Sequence, residues 1–169
     1  DGTRIDKSNE EIIHLFHKIT GIRERRYVTD ALQTSDIAAY AAKEALTDAD
    51  IDRETLDYVV VAHNFGDIRK ENRRSEFVPS LAWRVKDTLK VSNPSTAAYD
   101  LIFGCPGWLQ GVMNMDELIR SGRAMRALTI GAETLSRIAD PHDRDSMIYA
   151  DGAGAIVLEA TSGDKATGI

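Results

Sequence analysis

The sequence predicts an α/β fold with a largely parallel sheet, and three observations carry that prediction. The run 58–62 (YVVVA) is β-branched and apolar on both faces, as in a strand buried within a parallel sheet. Two further runs, 97–103 (AAYDLIF) and 126–132 (RALTIGA), read as strands of the same sheet. Stretches with helical spacing lie between them, so strands and helices alternate.

Taken in order, residues 10–18 (EEIIHLFHK) read as an amphipathic helix with Ser8 or Asn9 as N-cap, ended by Thr20-Gly21. Residues 22–30 read as extended or looped. A second helix starts at Ser35, where Ile37, Ala38, Ala41, Ala42 and Ala45 form one stripe of mostly small residues that can pack closely. Residues 79–89 form a third helix, with Pro79 expected in its first turn. A fourth runs over 106–121, with Gly122 at the position after its end. The DGAG at 151–154 reads as a tight turn feeding the apolar strand 155–160. It lacks the GK[ST] ending of a phosphate loop.

The 169 residues fit one domain with its own core. Hydrophobic residues make up 43% and charged residues 28%, with 27 acids against 21 bases and a formal net charge of −6. A nucleic-acid binder would carry a basic stripe. Here Arg23, Arg25 and Arg26 form only a local basic spot, interrupted by Glu24. No apolar run reaches the length of a membrane span, and no signal segment opens the chain. A single cysteine cannot form an internal disulfide, which fits a reducing, cytoplasmic compartment.

That cysteine, Cys105, stands in FGCPG, where a strand ends, glycine turns the chain and a helix starts. A helix N-terminus carries partial positive charge and free N–H groups. A thiolate there is stabilised, and the same N–H groups can hold an oxyanion. Pro106 removes one donor and leaves the N–H of Cys105. The plainer reading is an inert small hydrophobe. A nucleophile also needs a base. Among His14, His17, His63 and His142, His63 is the best in-chain candidate because it follows a strand. It reads equally as a hydrogen-bonding histidine at a strand end. No cysteine and histidine share metal-ligand spacing.

Several motifs resemble the ketoacyl-synthase III enzymes of the thiolase superfamily: TGIRERR at 20–26, FVPS at 77–80, AAYDLIFGCPGW at 97–108, GAETLSRIADPHDR at 131–144 and YADGAGAIVLEA at 149–160. They run in the family's order over nearly the whole chain. The resemblance implies a layered αβαβα architecture of two similar halves. Residues 1–169 would be the N-terminal αβα half, with or without its first strand, and the C-terminal half would be absent. It implies that Cys105 accepts an acyl group from a coenzyme A or acyl-carrier-protein thioester. A malonyl thioester then loses carbon dioxide and condenses with that group, in fatty-acid or related ketide biosynthesis. It places Arg144 at coenzyme A, Ile148 and Tyr149 at the entrance and acyl pocket, and Phe77 across a homodimer interface. It implies no covalently bound cofactor, no nucleic-acid partner and no membrane partner. The family's catalytic His and Asn lie outside this sequence, so the chain alone is expected to be inactive. Two other readings remain open. One is an acyltransferase or specialised-pathway condensing enzyme that works without malonyl decarboxylation. The other is a noncatalytic, interface-forming subunit.

Overall fold

The computed structural model describes residues 5–161. The elements in chain order are α1 (Asn9–Thr20), α2 (Thr34–Asp48), β1 (Tyr58–His63), β2 (Asp67–Ile68), β3 (Ser75–Glu76), α3 (Leu81–Thr88), β4 (Ala97–Ile102), α4 (Gly107–Arg120), β5 (Arg126–Thr134) and β6 (Asp151–Glu159). The main sheet has the order β4-β1-β5-β6. The first three strands are parallel, and β6 returns antiparallel along β5. β2 and β3 form a small separate hairpin.

Topology decides which helix covers which face. The chain steps from β1 to β4 through α3, then reverses across β1 to β5 through α4. Right-handed crossovers in opposite directions put their helices on opposite faces. The packing shows this: Val59, Val61, Leu128 and Ile130 join the core with α2 and α3, whereas Val60 and Ala127 meet Met115 of α4. The described chain is therefore one αβα sandwich, the fold class expected from the sequence.

Each element has a local cause. Ser8 caps α1 in a capping box with Glu11, and Gly21, at φ 72°, ends it. α2 and α3 are capped from outside by carboxylates, the buried Asp67 and the half-buried Asp100. Asp67 accepts from the N–H and hydroxyl of Ser35 and from Arg84. Asp100 of β4 accepts from the N–H groups of Leu81 and Ala82, both at 2.8 Å.

Two expectations are corrected. Pro79 stands before α3 rather than in its first turn. Ser80 is the cap, its hydroxyl accepting from the N–H of Trp83. DGAG is not a turn either: residues 151–154 are extended at the start of β6, paired with β5 from Gly131↔Gly154 to Thr134↔Asp151. The Asp151 carboxylate holds that start by accepting from the N–H groups of Val28 and Ser136 and from the Ser136 hydroxyl. Neither Gly152 nor Gly154 takes a positive φ, and a Cβ on either meets nothing within 4 Å, so no bend or close approach among the described residues calls for glycine there.

Candidate functional site

Adjacent strands β1 and β4 send their following helices to opposite faces of the sheet. The crevice outside the carboxyl ends of such strands is where α/β sheets build sites. Cys105 follows β4 at this point. Gly104, at φ 80°, makes the turn that few L-residues adopt, and the N–H of Gly107 closes it by donating to the Gly104 carbonyl at 2.9 Å. The cysteine is exposed one residue before the Pro106 cap of α4. In this chain the cysteine is not part of the buried core.

Glycines set how closely α4 rides on the sheet. A Cβ at Gly107 would come within 3.1 Å of the Ala62 side chain, and one at Gly111 within 2.9 Å of a Thr129 methyl. At Gly131 of β5 it would meet Trp108 at 3.1 Å. Ala62, Thr129 and Gly131 thus mark the strand positions that face α4.

Side chains alternate along a strand, so the same count places every candidate. His63, next to Ala62, points to the opposite face. It is 2% exposed. Its Nδ1 accepts from the N–H of Gly66 at 3.0 Å, which leaves the proton on Nε2. Nε2 lies 3.0 Å from the Asp100 carboxylate, off the line of a good hydrogen bond, since no hydrogen bond forms there. The Phe77 ring stacks on this imidazole at 6.1 Å between centroids. Nδ1 is bonded to Gly66 and Nε2 lies beside Asp100, so both ring nitrogens are on the α3 side. His63 is the strand-end histidine of the plainer reading and not a base for Cys105.

Asn64, the residue after His63, points to the α4 side. The register Ala62↔Gly131, continued by two residues, sets Asn64 beside Glu133. The Asn64 main-chain N–H and side-chain amide both donate to Glu133 Oε2, at 2.8 and 2.6 Å. Asn64 Oδ1 faces the Gly104 turn, 3.6 Å from where a Cβ would stand. Neither Asn64 nor Glu133 stands out in the sequence. Counting by twos from Ala62 and from Gly131 would have found both.

The other predicted residues lie apart. Arg144 is in a short 3-10 turn, its side chain 73% exposed and 3.4 Å from Asp145. Ile148 is exposed at the end of that turn. Tyr149 lines a cavity of about 490 Å³ together with Tyr27, Lys70, Arg73, Ser136 and Arg137. Cys105, Arg144 and Phe77 do not line it. Arg137 at its base is buried, donating to the carbonyls of Ile68, Thr29 and Leu32. At the rim, the main-chain N–H and ring of His142 hold the Asp140 carboxyl below the usual carboxylate range. Within the basic spot, Arg26 pairs with Glu24, and Arg25 donates to the Met147 carbonyl. Among the described residues no His, Cys, Asp and Glu cluster could hold a metal, and no helix is long and apolar enough to cross a membrane.

Comparison with known proteins places this geometry. The family model for 3-oxoacyl-[acyl-carrier-protein] synthase III matches residues 99–169. The chain is 40% identical over 158 residues to the beta-ketoacyl-[acyl-carrier-protein] synthase III of Bradyrhizobium diazoefficiens, covering 93% of this chain and 44% of that protein. The crystal structure of 3-oxoacyl-[acyl-carrier-protein] synthase III from Aquifex aeolicus superposes with a TM-score of 0.77 at 32% identity, over 94% of this chain and 47% of that one. A priming beta-ketosynthase from a polyketide biosynthetic pathway gives 0.79 at 26% identity, over 91% and 42%. The chain thus spans less than half the length of these relatives.

Proposed function

We propose, from the premise that this is a ketoacyl-synthase III-like chain of the thiolase fold, that Cys105 is the acyl-accepting nucleophile of a condensing enzyme. The observation that carries this is the exposed sulfur on a left-handed glycine turn, at a strand's carboxyl end and a helix's start. The relatives named above as 3-oxoacyl synthases support the reaction class.

In the proposed cycle the Cys105 thiolate attacks the carbonyl carbon of an acyl thioester and expels the carrier thiolate. A malonyl thioester then loses carbon dioxide, and its carbanion attacks the acyl carbon. The 3-oxoacyl thioester forms and the Cys105 thiolate is released. Free N–H groups at the start of α4 can hold the oxyanion. With His63 committed on the other face, the proton-handling groups belong to the His and Asn that the resemblance puts outside this sequence.

Arg144 is the proposed contact to coenzyme A or an acyl carrier protein, and Ile148 and Tyr149 the proposed entrance to the acyl site. A homodimer through the free edge of β4 is part of the same reading. Ile102 and Phe103, at the end of that edge, are 61% and 55% exposed. Phe77 would reach the partner's pocket, next to Val78, which is 87% exposed. The protein would work in the cytoplasm on soluble thioesters.

The test is mass analysis of the full-length protein after incubation with acyl thioesters. An acyl adduct on the Cys105 peptide, absent in Cys105→Ala, is expected. Carbon dioxide release and a 3-oxoacyl product should follow when a malonyl thioester is added. No adduct on Cys105, or full activity in Cys105→Ala, would remove the nucleophile reading and favour a structural cysteine. An adduct without carbon dioxide release would point to acyl transfer without condensation.

A further inference from the structure

Several carboxylates knit the loops and strand ends of this fold together, and one of them bears on the turn that carries Cys105. Asp67 uses both oxygens, on Ser35 and Arg84. Asp100 uses both on the start of α3. Asp151 uses both on Val28 and Ser136. Glu133 uses only Oε2, and both hydrogen bonds there come from Asn64. Its Oε1 is buried and has no hydrogen-bond partner among the described residues.

A buried acceptor left unmade costs stability. What Glu133 does achieve is local. By accepting from both the main-chain and the side-chain N–H of Asn64, it fixes that amide with its oxygen turned toward Gly104. Gly104 in turn sets the backbone from which Cys105 projects.

We infer that Glu133 is a positioning residue for Cys105, acting through Asn64, which it holds against the Gly104 turn. Glu133 itself touches no reacting atom in this scheme. The inference rests on the reading of Cys105 as the acyl acceptor. It needs an acceptor at Oε2 and not a negative charge, so a glutamine can serve in its place. Acyl transfer requires the sulfur to meet a carbonyl in one orientation, and small misplacements are costly there. Alkylation by a small reagent is far less demanding of orientation.

The experiment uses the full-length protein and its Glu133→Ala, Glu133→Gln and Asn64→Ala variants. Two rates are read at the Cys105 peptide by mass spectrometry: acylation by acetyl-, butyryl- and octanoyl-coenzyme A, and alkylation by iodoacetamide. Glu133→Ala and Asn64→Ala should acylate on the order of tenfold more slowly or worse, with alkylation within about threefold of wild type. Glu133→Gln should restore acylation to within about threefold, because its amide oxygen can accept from Asn64. If Glu133→Ala fails to fold, Asn64→Ala and Glu133→Gln still decide. Acylation unchanged in Asn64→Ala, or as slow in Glu133→Gln as in Asn64→Ala, overturns the inference while leaving Cys105 the nucleophile. A wild type that takes up no acyl group at Cys105 overturns the nucleophile reading, and this inference with it.

Discussion

The two faces of the main sheet are lined by the same strands and differ in almost everything else. On the α2 and α3 side, Val59, Val61, Leu81, Val85, Leu128 and Ile130 are fully buried in one continuous core. The polar groups at its rim, His63 and the Asp67 and Asp100 carboxylates, are turned to helix starts and loop N–H groups. On the α4 side the buried cluster is small, centred on Val60, Met115 and Ala127, and the outer surface of α4 exposes Leu109 and Met113. Here lie Cys105, Asn64 and Glu133. One face holds the fold together, and the other carries the residues proposed for chemistry. What separates them along a strand is a single residue, as His63 and Asn64 show.

The sharpest way to test that division is to remove buried bulk from each side. Leu81→Ala, on the closed face, should lower stability by about 3 kcal/mol. Leu109→Ala, on the exposed surface of α4, should change it by less than about 0.5 kcal/mol in this chain. Denaturant unfolding of both variants reads the contrast, and equal losses would erase it.

Next in size is Asp100→Ala. It strands the N–H groups of Leu81 and Ala82 at the start of α3 and should cost about 2 kcal/mol. Iodoacetamide alkylation of Cys105 in the folded protein should stay within about twofold of wild type, since that carboxylate serves the other face. A marked change in alkylation would show that the faces communicate.

Gly111→Ala is a smaller perturbation, and it acts on the chemical face. The added methyl would stand 2.9 Å from a Thr129 methyl. Overpacking of this kind costs about 1–3 kcal/mol, and the gain in helix propensity returns up to about 1. A net loss near 1 kcal/mol is expected in thermal unfolding, together with a changed acylation rate at Cys105.

The smallest effect concerns Tyr99. Burial first, then the neighbouring Tyr58, push its phenol above the ordinary value of 10.0. A raised value means the folded state favours the neutral phenol. Its contribution to stability is whole below pH 10 and fades as pH rises through the raised value. Tyr99→Phe should therefore flatten the alkaline end of the stability profile relative to wild type.

Much of this was legible in the sequence. The run 58–62 is apolar on both sides because β1 is flanked by β4 and β5 and covered above and below. The Phe103-to-Gly107 junction showed the Cys105 turn for the same reason it folds: only glycine readily takes the conformation at 104. His63 could not be resolved from sequence, because a strand-end histidine looks alike whichever face it points to. That depends on where α4 lies, which is a long-range fact. Asn64 and Glu133 were hidden for a related reason. They are 69 residues apart, and only strand register brings them together. The DGAG stretch misled because its glycines stand in an extended strand at ordinary φ, where nothing among the described residues requires them.

The close seat of α4 has one more consequence. At 1.5 Å per residue, Gly111 lies about 6 Å along the axis from Gly107, where α4 begins, yet the atom it lacks helps set how high the whole rod rides above the strands. The seat of the turn before α4 is thus levelled by an absence one turn into the helix, much as a shim under one end of a beam sets the level of the other.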